Sequence, residues 1–587
     1  MKFLSNVLAT IVGLFVFSVL SFFMFLLVAA VAGGGKESTE VKDDSVIELD
    51  LADISNDYAG KYSDPWVESL SGKSRVGVMD VVKAIRAAGE DDQIKGISIL
   101  NNTSDLGIAQ AKALRDALAD FRKSKKFVLS YSNAYSQKEY YIGSVADTVY
   151  LNPVGEMDFR GLSTELMFFK DLQEKSGIRM EVIRHGKYKS AVEPFLENKM
   201  SDANREQLTA LLGGIWSGIL NDISKSRHIP VSQLNAIADG LLARTPEMAK
   251  NQKLVDRVAY EDQYHDAIRK ALKVEKDKNY NSVKIADYAK NVATTPDEGL
   301  GSDRIAVIYA QGEIKSGEGD VTYIGEGSMR RALKEARENK RIKAVVLRVD
   351  SPGGSALTSD LIWREIELTK KKKPVIVSMG NLAASGGYYI SCGADQIFAE
   401  EGTITGSIGV FGVLPNVKGL SDKMGIHAET VSTNVNAATY SPFRPLDDTT
   451  RKTLTESVEY IYSTFVGRVA KGRHMTPAQV DSIGQGRVWS GKDALRIGLV
   501  DKIGGLDAAL AEAAKRAKIT KYRTMNFPEY KKELGDVLAE LMPFASTRES
   551  IMKEELGEAN YRILQQWREA MGQKGVQARL PYDIRLN

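Results

Sequence analysis

The chain begins with an almost uninterrupted apolar run, Leu8–Ala32 (LATIVGLFVFSVLSFFMFLLVAAVA), and nothing later in it is as long and as apolar. At about 1.5 Å per residue, such a run exceeds the roughly 30 Å hydrocarbon core of a bilayer. It predicts one N-terminal transmembrane helix, an anchor over residues 1–35 that is retained rather than cleaved after Ala30-Val31-Ala32. The amino terminus and Lys2 precede the run, and an acidic-leaning linker, 36–44, follows it. That bias predicts a single-pass protein of the inner membrane, its N-terminus cytoplasmic and the rest extracytoplasmic. From Ser45 the pattern changes. SVIELDL, IKGISIL and KKFVLSYS read as strands; VMDVVKAIRAAGED and AQAKALRDALADFRKS read as helices with apolar residues at i, i+3 and i+4. Strands alternating with amphipathic helices predict βαβ units and a mainly parallel sheet, an α/β fold.

A polar stretch, 293–303 (ATTPDEGLGSD), interrupts the alternation, which restarts at RIAVIYAQGEI. The restart is a repeat. Ile94-Lys95 matches Ile342-Lys343, Asn133 matches Asn381, Tyr140-Tyr141 matches Tyr388-Tyr389, Ala146-Asp147 matches Ala394-Asp395 and Pro194-Phe195 matches Pro442-Phe443, all at an offset of 248. Arg227-His228 and Arg473-His474 follow at 246, and Leu254-Val255-Asp256 and Leu499-Val500-Asp501 at 245. Two copies of one α/β unit are predicted, 45–292 and 304–518, with a Lys/Glu-rich helical extension, 519–587, that contains the amphipathic KELGDVLAELMPF.

Composition narrows the function classes. A net charge of +3 over 587 residues gives no reason to expect nucleic-acid binding. The single cysteine, Cys392, excludes an intrachain disulfide and reads as a small core residue. None of the five histidines has metal-ligand spacing, so no metal or cofactor is expected. Gly486–Asp493 (GRVWSGKD) nearly spells a phosphate-binding loop, but Asp493 replaces the Ser/Thr that would hold magnesium. It reads as a helix start with Ser490 as N-cap.

The copies differ where chemistry would lie. In the second, the apolar run PVIVS leads to small residues, then Ser385, Gly386 and Gly387: a strand, a tight turn and a helix start that presents a hydroxyl. The first copy has Gln137, Lys138 and Glu139 there. The second copy also has Asp350-Ser351-Pro352-Gly353-Gly354-Ser355 after the strand AVVLRV, a turn able to present backbone N–H groups as an oxyanion hole. A base is missing from the second copy, where His427 has no support, and His185 of the first copy has none either. A buried, neutral lysine is an alternative base. The first copy carries Lys187 and Lys189 in RHGKYKSAVEPF; the aligned segment is STNVNAATYSPF, with Ala437 opposite Lys189. Each copy lacks what the other keeps, which predicts one composite site at their interface.

The stretches GKYKSAVEPF, DSPGG, NLAASGGYYIS, TITGSIGV and GRVWSGKDA with IGLVDKIGG closely resemble the protease IV family, serine peptidase family S49, in its long form. The resemblance covers about Ser45 to Lys518 and includes the anchor. It implies tandem duplicated ClpP/crotonase-like domains and a membrane-bound serine endopeptidase that degrades released signal peptides and other apolar peptides. It also implies assembly as a homotetramer. Carried over residue by residue, Ser385 is the nucleophile, Lys189 the general base and acid, and Ser407 the residue that orients the lysine. Gly354 contributes to the oxyanion hole, joined in the expected mechanism by Gly353 and Gly386. The competing expectations are a crotonase-like acyl-CoA enzyme and an inactive membrane-associated scaffold.

Overall fold

The computed structural model describes residues 10–22, 24–25, 40–62, 76–100, 104–294, 301–531 and 577–579. Two parallel sheets organise it. In the first, strands β1 (Ser45–Asp50), β2 (Ile94–Leu100), β3 (Phe127–Tyr135), β4 (Thr148–Met157), β5 (Arg257–Val258) and β6 (Ser282–Lys284) lie in the order β6-β1-β2-β3-β4-β5. In the second, β7 (Arg304–Gln311), β8 (Ile342–Ser351), β9 (Val375–Ala384), β10 (Gln396–Ala399), β11 (Lys502–Ile503) and β12 (Arg523–Phe527) lie in the order β12-β7-β8-β9-β10-β11. The two orders are the same. Strands Ile404–Gly406 and Val488–Ser490 extend the second sheet alongside β9. The closing strand β12 lies beyond Lys518, where the sequence pattern had placed the start of a helical extension.

The interior explains the pattern. β8 and β9 are buried along almost their whole length, as parallel strands covered on both faces must be. The repeat extends to individual hydrogen bonds. Tyr140 Oη donates to Leu254 O and Tyr388 Oη to Leu499 O, at 2.9 and 2.8 Å. Asp256 and Asp501 accept from the backbone of Val149 and Ile397 and pair with Arg227 and Arg473. His228 and His474 each end a 26-residue helix in the left-handed conformation, both at φ 55°. Ser490 caps the helix Gly491–Arg496 by accepting from Asp493 N at 3.1 Å.

One hydrophobic core joins the two halves. It contains Ile47, Ile97 and Val128 of the first sheet together with Val307, Val346 and Ile376 of the second. Polar contacts fix the joint. Arg348 Nε meets Asp57 Oδ2 at 2.6 Å with both side chains buried, and Tyr58 stacks on Tyr309 with ring centroids 4.7 Å apart. Asn381 Oδ1, from the second half, accepts from the N–H groups of Ala109 and Gln110 and so caps helix Ile108–Arg122 of the first. Breaking a buried ion pair such as Arg348–Asp57 costs about 3–5 kcal/mol.

Among the described residues, the transmembrane helix expected at Leu8–Ala32 is not found. Residues 10–22 and 24–25 of the segment are helical. Among the described residues no helix is long and apolar enough to cross a membrane. Residues 1–9, 23 and 26–32 of the segment lie outside the described residues, as do most of the 519–587 extension and all of KELGDVLAELMPF. The expectations of a membrane-bound protein, of membrane attachment as a partner and of a single-pass inner-membrane location are corrected accordingly.

Candidate active site

Ser385 sits at the end of β9, where the buried run closes in Ala383-Ala384. Its backbone is at φ 56° and ψ −114°, a conformation that costs a non-glycine residue on the order of 1–3 kcal/mol. Two backbone hydrogen bonds and a helix start hold it there. Its N–H donates to Gly406 O at 2.8 Å, its carbonyl accepts from Tyr389 N at 2.8 Å, and helix Gly386–Ser391 starts at the next residue. Gly387 lies so close to the turn after β8 that an added Cβ would stand 2.7 Å from Ser351 O. The two glycine turns of the second half are therefore packed on each other.

Lys189 arrives from the other half of the chain. It follows strand Arg179–His185 and begins the short helical segment Ser190–Leu196. Its Nζ is 2.9 Å from Ser385 Oγ, 3.0 Å from Ser407 Oγ and 3.2 Å from Ser407 O. Lys189, Ser385 and Ser407 are all fully buried. Burial, with no compensating carboxylate, holds the amine well below the ordinary lysine pKa. Within a single chain, then, the two halves bring a buried lysine amine onto a serine hydroxyl. Ser407 is positioned by strand Ile404–Gly406, whose Gly406 pairs with Ala384, and by its own N–H on Arg487 O at 2.7 Å.

The other candidates fall into two groups. Gly353 and Gly354 lie at φ 96° and 153°, and a Cβ on Gly354 would meet Ile314 O at 2.1 Å, so no side chain fits. Gly353 N–H donates to Ser351 Oγ at 3.2 Å within its own turn. Gly386 is the first residue of its helix, where an N–H has no intrahelical acceptor. The alternative bases are elsewhere. Lys187 is exposed with its Nζ over the Tyr188 ring, His185 bonds Glu459 and stacks on Tyr462, and His427 is exposed.

Several residues that make the site were not singled out from the sequence. Gly486 lies against the lysine backbone, with an added Cβ 2.6 Å from Lys189 Cα, and Gly409 makes room for its stem, 3.1 Å from Cδ. Both glycines belong to stretches already noted, and their role depends on a lysine hundreds of residues away. Gln207, buried on helix Asp202–Arg227, donates to Ser190 Oγ and Tyr188 O and accepts from Val488 N, tying the lysine loop to the second half. Glu193 accepts from Ser201 N and Asn204 Nδ2 and fixes the end of the same loop. At the joint, burial and then the neighbouring Asp57 carboxylate push Asp350 up to about 7.

The model of peptidase family S49 matches residues 120–275 and 367–520, one stretch in each half. Protease 4 of Haemophilus influenzae is 36% identical over 87% of this chain and 86% of its own length. The chain belongs to peptidase family S49. Protease 4 of Salmonella typhi is 38% identical over 76% of this chain and 73% of its own, and the chloroplastic serine protease SPPA of Arabidopsis thaliana is 34% identical over 77% and 68%. As a member of S49, the protease IV family, the chain is a serine endopeptidase of the Ser-Lys type. The expected ClpP/crotonase-like description of the fold is corrected to α/β. A ClpP1 mutant from Listeria monocytogenes covers 35% of this chain and 94% of its own at 16% identity, and its TM-score of 0.24 is too low to equate the folds.

Proposed function

We propose that Ser385 is the nucleophile and Lys189 its general base and acid in hydrolysis of extended peptides through an acyl-enzyme. The reading rests on one observation, the 2.9 Å contact between Lys189 Nζ and Ser385 Oγ in a buried site that disfavours the charged amine. Neutral Lys189 takes the hydroxyl proton as Oγ attacks a peptide carbonyl. The tetrahedral oxyanion is received by backbone N–H groups of Gly354 and Gly386, while Gly353 holds the turn through Ser351. Protonated Lys189 gives its proton to the leaving amine, the C–N bond breaks, and the acyl group stays on Oγ. The amine then deprotonates water, which attacks the ester and releases the acid. Ser407 orients the amine through its hydroxyl and carbonyl. The units supplying the two groups are 45–292 and 304–518, the second completed by β12. An acyl-CoA enzyme would have no use for a neutral lysine on a serine, and an inactive scaffold no reason to keep both.

A fluorophosphonate should label the wild-type protein once, at Ser385, as mapped by peptide mass spectrometry. Ser385→Ala should abolish both labelling and peptide turnover while leaving the melting temperature within a few degrees. Substantial turnover by the alanine variant would sink the assignment.

A further inference from the structure

Strands β8 and β9 do not pair evenly to their ends. Val349 lies opposite Met379 but Ser351 lies opposite Ala383, so Asp350 of β8 stands against Gly380, Asn381 and Leu382 of β9. The surplus on β9 bulges just before the strand reaches Ser385. A bulge takes backbone groups out of the ladder, and side chains must satisfy them. Leu382 N–H donates to Asp350 Oδ1 at 2.8 Å, and Gly380 O accepts from Thr403 Oγ1 at 2.8 Å. Gly380 also makes room, since an added Cβ would stand 3.1 Å from Asp350 Cγ. On its own strand Asp350 is the last residue before the turn Ser351–Gly354. Its carbonyl accepts from Gly312 N at 2.9 Å, and Ser351 Oγ donates to Gly312 O at 2.6 Å.

The other oxygen of the same carboxylate reaches the joint. Asp350 Oδ2 accepts from Asn381 Nδ2 at 3.0 Å and from Gln110 Nε2 of the first half at 3.4 Å. The Asn381 amide has one orientation only, because its Oδ1 accepts from the backbone N–H groups of Ala109 and Gln110. It therefore turns Nδ2 toward Asp350. Gln110 Nε2 also donates to Asp57 Oδ1 at 3.0 Å, and Asp57 Oδ2 accepts from Arg348 Nε at 2.6 Å. The three groups bonded to the Asp350 carboxylate are all donors, so the position calls for an acceptor on both arms. The first copy has Asn102 at the aligned position, so the carboxylate belongs to the half that carries the serine.

We infer that Asp350 is a positioning residue: its carboxylate holds the glycine turn and the serine strand at a fixed offset and, through Asn381, ties both to the half that carries Lys189. The inference rests on the assignment of Ser385 and Lys189. Asp350 touches no reacting atom. It acts as a two-armed clamp, one oxygen on the strand that leads to the nucleophile and the other on the side chain that grips helix Ile108–Arg122.

The test exchanges the two side chains in the full-length protein, assayed with a fluorogenic peptide at about pH 9, where Asp350, pushed up to about 7, is ionised. Asp350→Asn keeps the size and the acceptor for Leu382 N–H but sets an NH2 group against the Asn381 amide. Its kcat should fall by at least about tenfold with KM within about threefold, because misplaced reacting groups lose rate rather than binding. Asn381→Asp should do the same by setting two carboxylates together. The double variant again faces a donor with an acceptor, and it leaves a carboxylate at a helix N-terminus, where negative charge is favoured. Its kcat should return to within about threefold of the wild type, as coupled positions do when the contact is rebuilt. Thermal melts check that each variant is folded. If Asp350→Asn does not fold, the recovery of the double variant over Asn381→Asp decides the matter. If fluorophosphonate labels Ser385 in the wild type but folded Asp350→Asn keeps kcat within about twofold, or the double variant recovers nothing over Asn381→Asp, the positioning inference fails alone. If Ser385 is not labelled, the dyad assignment fails and takes the positioning inference with it.

Discussion

The same turn occurs twice in this molecule, and the two versions are opposites. In the first half, β3 ends at Tyr135 and Ser136 caps helix Gln137–Gly143 with ordinary extended angles, φ −70° and ψ 162°. Gln137, Lys138 and Glu139 each have partners within the first half. Gln137 accepts from Arg160 N and Gly161 N and donates to Gly161 O; Glu139 pairs with Ser136 and accepts from Ser104 N; Lys138 donates to Ser104 O. In the second half, β9 ends in Ser385 at φ 56°, with no side-chain cap, and its hydroxyl meets a lysine from the other copy. A turn built for the fold is relaxed and closed on itself. The version built for chemistry is strained and directs its hydroxyl outward, across the joint.

Exchanging residues between the versions gives the largest expected effect. Lys189→Ala places in the first copy what Ala437 already is in the second. Turnover of a peptide substrate should fall by about 10²–10⁴-fold, the range for loss of a general base, with an unchanged circular dichroism spectrum. Retention of more than a tenth of the activity would mean that another group takes the proton. Next comes pH. With Lys189 as the proposed base, the reaction would need the neutral amine, so kcat/KM should rise with pH through a single ionisation well below the ordinary lysine value of 10.5. Between the folded and unfolded pKa values the unfolded chain binds more protons, so stability should also rise with pH across that window. A rate profile flat from pH 5 to 10 would remove Lys189 from the base role.

Gly486→Ala should act in the same direction by crowding. Its φ is +80° and a Cβ would stand 2.6 Å from Lys189 Cα, so the lysine must shift. A displacement of about 1 Å at the reacting atoms costs around 10²-fold, read here as kcat with a smaller change in KM. Unchanged kcat would show that the lysine tolerates the shift. The smallest effect belongs to the quiet copy. Gln137→Ala should lower stability by about 0.5–1.5 kcal/mol in a denaturant titration and leave kcat alone, because it removes the hydrogen bonds that hold the part-buried Arg160 and Gly161 amides. A large loss of kcat there would break the contrast between the two turns.

Much of this was legible in the sequence, for identifiable reasons. Parallel strands and their covering helices write periods of their own, and a duplication lets each copy be read against the other. Lys189 and Ser385 stood out because each is missing from the opposite copy. What could not be read depends on distant partners. Gly409 and Gly486 are small because a lysine stem passes them, and Gln207 matters through Val488. The apolar run at Leu8–Ala32 failed in another way. Hydropathy measures the length of an apolar stretch, while no helix among the described residues is long and apolar enough to cross a membrane.

The contact between Lys189 and Ser385 is also a gauge. One partner is fixed to each half, and hydrogen-bond reach spans only a few tenths of an ångström. In the proposed mechanism the chemistry therefore reads out the alignment of the two halves along the whole joint, from the Tyr58–Tyr309 stack to the cap that Asn381 places on a helix of its neighbour. A substitution far from any substrate, if it lets one half rock against the other, registers first as silence at the serine and only later as unfolding.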